Sequence, residues 1–199
     1  FARTTNGGTS WDTIPTNMSF TALDFINEST GYATGKYGPV RKTTDGGLNW
    51  INLTGIYGQS FDIDFINQNT GLVASGGAFK RTTNGGVTWD SIAIPFNTFV
   101  YQMKFINENE VVAGTIGGVN FDNLIIKSTN GGINWYSVHT LDGGFGELEV
   151  KGDVVYALSY YYNRLSKSTD RGNTWRTYNT IAYREGYRIK FINENTGFI

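Results

Sequence analysis

An eight-residue phrase recurs five times in this chain, and every copy ends in tryptophan. The first is Thr4-Thr5-Asn6-Gly7-Gly8-Thr9-Ser10-Trp11, and the others span 43–50, 82–89, 128–135 and 168–175. Successive tryptophans stand 39, 39, 46 and 40 residues apart. A fixed period of this size marks a repeat architecture, and four short strands per unit is the reading for a propeller blade. The phrase itself reads as a hairpin turn. Asn6, Asp45, Asn84, Asn130 and Asp170 each supply a short side-chain carbonyl for nearby N–H groups, and glycine supplies positive φ at no steric cost. Trp11, Trp50, Trp89, Trp135 and Trp175 close the turns, each laying an apolar ring over the hairpin with its N–H free to bond.

A second phrase lies between the turns: Asp24-Phe25-Ile26-Asn27, Asp64-Phe65-Ile66-Asn67, Lys104-Phe105-Ile106-Asn107 and Lys190-Phe191-Ile192-Asn193. Short strands rich in aromatic and β-branched residues, bounded by turn clusters, give four strands per unit, A to D, with the octet joining C to D. The second unit places them near 20–26, 31–35, 40–44 and 49–53. The fourth unit carries an insert, 115–123, between B and C, and the fifth replaces the Phe-Ile-Asn phrase with Leu148-Glu149-Val150-Lys151. The fold expected is all-β: a single propeller domain, 1–199, of about five four-stranded antiparallel blades. The chain opens in a C strand and stops in a B strand, so the count is four whole blades plus one shared between the termini. A fragment of a larger propeller, or self-association that completes the ring, remains open.

Sixteen basic and seventeen acidic residues nearly cancel, so no global field favours nucleic acid. There is no cysteine, hence no disulfide and no thiolate chemistry. No apolar run reaches membrane-helix length, and no membrane insertion is expected. His139 is the single histidine, too few for a histidine metal site, and its place after strand D suits a surface side chain. Neither metal nor cofactor is expected.

The octets resemble the Asp box, or BNR repeat, of sialidases, sortilin-type receptors, some glycoside hydrolases and photosystem II assembly factors of the Ycf48 type. Paired with Phe-Ile-Asn-x-x-x-Gly, they look most like the Ycf48-like group over the whole chain. The resemblance implies a secreted or periplasmic propeller without enzymatic activity, whose octets are structural and lie at the blade periphery.

Sialidase chemistry needs three substrate-binding arginines, and the nearest local match, Tyr187-Arg188-Ile189-Lys190, lacks the family's proline and aligns with Tyr101-Gln102-Met103-Lys104 of an earlier unit. A glycosidase needs two carboxylates at a set separation. Candidates on the A strands are Asp62, Asp64, Glu147 and Glu149, but the column Asp24, Asp64, Lys104, Glu149, Lys190 mixes signs at one repeat position. Pairing of Asp64 with Lys104 and of Glu149 with Lys190 between blades near the axis is therefore expected. The basic residue before each octet (Arg3, Lys42, Arg81, Lys127, Lys167) reads as part of a solvated strand face, with a cation ring gripping an anionic partner as the lesser reading.

Connectivity puts the D–A and B–C loops on one face, where length and sequence vary, and variable loops on a rigid scaffold are where function concentrates. That face is expected to present Tyr37, Tyr57, Phe96, Phe121, Asp122, Asp142, Tyr160, Tyr161, Tyr162, Tyr183, Arg184, Glu185 and Tyr187. Exposed rings with a few polar groups suit a protein or glycan partner. The function expected is a noncatalytic extracytoplasmic scaffold binding through this face. The alternative is a glycoside hydrolase or lectin relative using it.

Overall fold

The computed structural model describes the chain except for residues 15–18, 118–122, 163 and 181–187. None of the described residues is helical. Four sheets have four antiparallel strands in chain order, each closed by an octet between its third and fourth strands. Blade 2 comprises β3 (Phe20–Phe25), β4 (Gly31–Gly35), β5 (Arg41–Thr43) and β6 (Ile51–Asn52). Blade 3 comprises β7 (Ser60–Phe65), β8 (Gly71–Ser75), β9 (Ala78–Thr82) and β10 (Asp90–Ala93). Blade 4 comprises β11 (Phe99–Phe105), β12 (Val111–Ile116), β13 (Asn123–Ser128) and β14 (Tyr136–Leu141). Blade 5 comprises β15 (Phe145–Lys151), β16 (Val154–Ser159), β17 (Arg164–Ser168) and β18 (Arg176–Asn179). Before them, β1 (Ala2–Arg3) and β2 (Asp12–Thr13) hold C and D positions; after them, β19 (Lys190–Phe191) and β20 (Gly197–Phe198) hold A and B positions. These two pairs are separate two-stranded sheets, with no ladder joining them among the described residues.

The octets behave as their residues dictate. In 43–50 the Thr43 hydroxyl accepts the Gly47 N–H at 2.9 Å and donates to Asp45 Oδ1 at 2.8 Å, while Asp45 Oδ1 accepts the Asn49 N–H at 2.9 Å. Asn84 and Asn130 accept the equivalent N–H groups at 2.9 and 2.8 Å, so the turn needs the carbonyl and not the charge. Where the charge is present these donors hold it: the Asn49 N–H and side chain keep Asp45 at about 2, and Thr174 does the same for Asp170. Four of the five indoles donate to the carbonyl of the octet's last glycine, at 2.9–3.1 Å; the Trp89 N–H is buried without a partner. The rings also reach beyond their own hairpins. Trp135 stacks on Phe79 of blade 3 (centroids 4.2 Å apart) and Trp175 on His139 of blade 4 (5.3 Å). His139 is thus half-buried between blades rather than a surface histidine, and its Nε2 lies 2.9 Å from Ser166 Oγ.

There is no single central core. Each apolar cluster lies between two neighbours: Tyr32 and Val40 meet Ile63, Phe65 and Trp89; Leu72 and Phe79 meet Met103, Phe105 and Trp135; Val112 and Ile125 meet Phe145 and Leu148; Tyr156 and Leu158 meet Ile189 and Phe191. Every blade therefore depends on its neighbours, as in other repeat folds. The B strands β4, β12 and β16 lie between two blades and are buried almost throughout, which explains their near-continuous small and apolar runs. At the phenylalanine of the second phrase, Phe65 stacks on Tyr32 at 3.5 Å and Phe191 on Tyr156 at 3.6 Å, while Phe25 at the same repeat position stays 43% exposed.

Candidate functional site

Near the axis, strand A of each blade is a sheet edge whose outward N–H groups need acceptors. The previous blade's carboxylates supply them. Asp24 accepts the Phe65 N–H (2.7 Å), Asp64 the Phe105 N–H (2.7 Å) and Glu149 the Phe191 N–H (3.1 Å). Two residues earlier, Asp62 accepts the Met103 N–H (2.8 Å), Gln102 the Leu148 N–H (2.7 Å) and Glu147 the Ile189 N–H. The expected ion pairs lie on the same track, Asp64 with Lys104 at 2.8 Å and Glu149 with Lys190 at 3.0 Å. All four glycosidase candidates are thus engaged as blade-to-blade clasps. Among them Asp62 lines a small cavity of about 230 Å³ beside Phe61, Tyr101 and Gln102. Burial raises Asp62 to about 7; burial and the nearby Asp64 charge raise Asp24 to about 6.

At the rim, four of the five basic residues before the octets are engaged across the repeat and are not a solvated face. Lys42 donates to the Gly85 carbonyl (3.5 Å), Arg81 to the Gly131 carbonyl (2.8 Å) and Lys167 to the Glu194 carbonyl (3.1 Å). Lys127 is fully buried and bonds Glu110 and Asn173 Oδ1, both at 2.8 Å. Lys42, Arg81 and Lys167 thus satisfy a turn carbonyl of the next repeat unit, and Lys127 links Glu110 of its own blade to the next octet.

On the D–A/B–C face, the loops of blades 4 and 5 form the most developed recess. The Tyr160 and Tyr161 N–H groups donate to the Gly144 and Gly143 carbonyls at 3.0 and 2.7 Å, tying the two loops together. Both glycines have φ near +85°, and a Cβ on Gly143 would meet the Tyr162 ring at 2.4 Å, so the approach demands glycine. Tyr161 and Tyr162 are each 63% exposed, as alternation within 160–162 requires for at least one ring. Tyr161 separates two wells that share Asn123 and Gly144. One, of about 610 Å³, is polar at its rim, where Arg164 pairs with Asp142 and lies over the Tyr162 ring at 5.7 Å. The other, of about 500 Å³, is lined by Tyr101, Ile116, Phe145 and Tyr160, with Arg188 at its mouth.

Of the remaining expected face residues, Tyr37 and Tyr57 are exposed but line neither well, and Phe96 packs against the core between blades 3 and 4 instead of facing a ligand. Phe121, Asp122, Tyr183, Arg184, Glu185 and Tyr187 lie outside the described residues. The face expected from the sequence does not include Tyr101 and Phe145, or Ile116, which lies in the expected 115–123 insert but ends strand β12. The available signal was Gly143-Gly144, a glycine pair at a D–A junction outside any octet.

Blades with clasped inner edges around an axis, and one face of variable loops, define a β-propeller. No protein-family model matches the chain. Its sequence is 29% identical, over 80% of its length, to the photosystem II stability/assembly factor HCF136 of the chloroplast from Guillardia theta, and covers 45% of that protein. The structure of YCF48 bound to D1 peptide is similar with a TM-score of 0.68 and 22% identity, over 88% of this chain and 59% of that one. YCF48 from Cyanidioschyzon merolae gives 0.70 and 19%, over 92% and 63%. An ancestral GH74 enzyme gives 0.67 and 18%, over 78% and 23%, a likeness of fold alone. The chain is therefore a β-propeller similar to these YCF48-type proteins, and it spans about half to two thirds of their length.

Proposed function

We infer that the chain is a noncatalytic extracytoplasmic scaffold that binds a protein segment on its D–A/B–C face, at the recess around Tyr160–Tyr162. The observation that carries this reading is the pair of largely exposed tyrosines held over two wells by loop-to-loop hydrogen bonds. Rigid aromatic groups give large contact area at little entropic cost. A YCF48 propeller bound to a D1 peptide supports a peptide as the type of partner. The glycoside hydrolase or lectin alternative finds less support. The A-strand carboxylates are engaged as clasps, and Asp142, the one described carboxylate lining the two wells, is paired with Arg164.

The test is calorimetric titration of that D1 peptide into the wild-type chain and the Tyr161→Ala/Tyr162→Ala double variant, with a glycan array run in parallel. Peptide binding weakened about tenfold or more by the double change is expected. Equal affinities, or glycan binding without peptide binding, would overturn the reading.

A further inference from the structure

The cavity of about 500 Å³ beside Tyr161 restricts what can occupy it. Its rings do not form a flat platform. Tyr160 and Tyr161 meet edge to face, with centroids 4.6 Å apart and planes at 89°, and Tyr101 meets Phe145 at 65°. A sugar stacks on an open ring face, whereas walls that meet edge to face enclose a compact apolar group. The floor is fixed in advance. Phe145 is 6% exposed and lies so close over Gly114 that a Cβ there would come within 1.9 Å of its ring. A pocket already formed costs little ordering on binding. Charge supplies the remaining restriction. Arg188 is the one charged group among the described lining residues, and it reaches Glu147 Oε1 at 3.2 Å from a largely exposed position. A lysine or arginine entering the mouth would meet a like charge.

Building on the protein-binding reading above, we propose that this cavity is an anchor pocket for one bulky apolar side chain of an extended partner segment, with no cationic residue beside it. The segment crosses Tyr161, and its next residues lie over the neighbouring well, whose rim carries Asp142 and Arg164.

The test uses four probes: N-acetylphenylalaninamide, N-acetyltryptophanamide, N-acetyllysinamide and cellobiose. Each is titrated into the ¹⁵N-labelled chain while the amide signals of Gly144, Phe145, Gly146 and Tyr161 are followed. The two aromatic amides are expected to shift these signals and saturate; the lysine amide and cellobiose are expected to leave them in place. Ile116→Trp, which fills the cavity, should weaken the aromatic probes about tenfold or more. Tyr161→Ala, at an exposed wall, should weaken them too, and gives a second reading if Ile116→Trp does not fold. Absence of shifts with both aromatic probes, or shifts with cellobiose or the lysine amide alone, overturns the anchor pocket. If D1 peptide binding is lost in Tyr161→Ala but unchanged in Ile116→Trp, the pocket is overturned and the partner face survives. If peptide binding is indifferent to Tyr161→Ala, the partner face is overturned while the probes still decide the pocket.

Discussion

At the hub, Asp24, Asp64 and Glu149 accept backbone N–H groups from the next unit; at the rim, Lys42, Arg81 and Lys167 donate to backbone carbonyls of the next unit. Both seams join the same pairs of neighbours, but with opposite charge. The difference follows from what each region leaves unsatisfied. An inner edge strand presents N–H groups, whereas the octets and A–B turns present carbonyls, and a buried backbone group without a partner is costly. The hub also tolerates exchange. In the row two residues earlier, the neutral Gln102 accepts the Leu148 N–H where Asp62 and Glu147 accept those of Met103 and Ile189.

The largest test of the comparison is at the rim. Lys127 is fully buried, with Glu110 and Asn173 as partners. Removing one partner of a buried charged pair typically costs 3 kcal/mol or more, so Lys127→Ala should lower unfolding stability by about 3 kcal/mol in urea titration. A loss below about 1 kcal/mol would mean that the rim cations are not structural.

The hub test separates hydrogen bond from charge. Asp64→Ala strips the acceptor from Phe105 and the counter-ion from Lys104, with an expected loss of about 2 kcal/mol. Asp64→Asn keeps an acceptor oxygen and should lose about half as much. Equal losses for the two variants would show that the ion pair, and not the N–H clasp, carries the seam.

Acidity sharpens the contrast. Asp24 and Asp62 have folded pKa values raised to about 6 and about 7, mainly by burial. The folded state then holds protons that the unfolded chain releases above about pH 4, so these two groups make stability fall as pH rises from about 4 to above 7. The octets act oppositely. Asp45 and Asp170 are held at about 2 by their turn donors, and their contribution is lost as pH falls from about 4 towards 2. His139, lowered by burial, stays neutral in the folded state as pH falls through the ordinary histidine range near 6.5, so it makes stability rise with pH there and opposes the hub. The hub contribution is isolated by melting wild type and Asp62→Asn side by side from pH 4.5 to 8. The gap in melting temperature should move in favour of the variant as pH rises. A constant gap would remove Asp62 from the account.

These seams were not equally legible in the sequence. The five octets settle blade count and strand order because turn chemistry is local: hydroxyl, carbonyl, two glycines and an indole interact within eight residues. The axial pairs Asp64–Lys104 and Glu149–Lys190 could be read because both members occupy one repeat column. Lys42, Arg81 and Lys167 were misread because their acceptors are backbone carbonyls, which no residue letter announces, and Lys127 because Asn173 lies in another repeat column. The recess is half legible for a related reason. Tyr160–Tyr162 stand out as a cluster, but Tyr101, Ile116 and Phe145 reach the same cavity from three different strands, distant in sequence, and nothing local marks them as neighbours.

The smallest expected effect concerns the octet that departs from the pattern. Four octets carry glycine at the fourth position with φ of 67–68°, while the fifth has Arg171 at φ 58°, the one described non-glycine residue in this region. The substitution is possible because of a shorter neighbour. A Cβ on Gly46, Gly85 or Gly131 would come within 2.8–3.1 Å of the Glu28, Gln68 or Glu108 carbonyl in the A–B turn. In blade 5 that turn is only Gly152-Asp153; the Arg171 N–H donates to the Asp153 carbonyl, and the guanidinium pairs with Asp153 (2.7 Å) and Glu110 (3.2 Å). Left-handed backbone strains a non-glycine residue, and the solvent-screened ion pairs offset part of that strain. Arg171→Gly should therefore leave the urea midpoint nearly unchanged. Gly85→Ala, which meets the Gln68 carbonyl at 2.8 Å, should cost clearly more. If Arg171→Gly proves as damaging as Gly85→Ala, the link to Glu110 across the blade 4–5 junction is a principal rim contact, and the rim outweighs the hub by more than Lys127 alone implies.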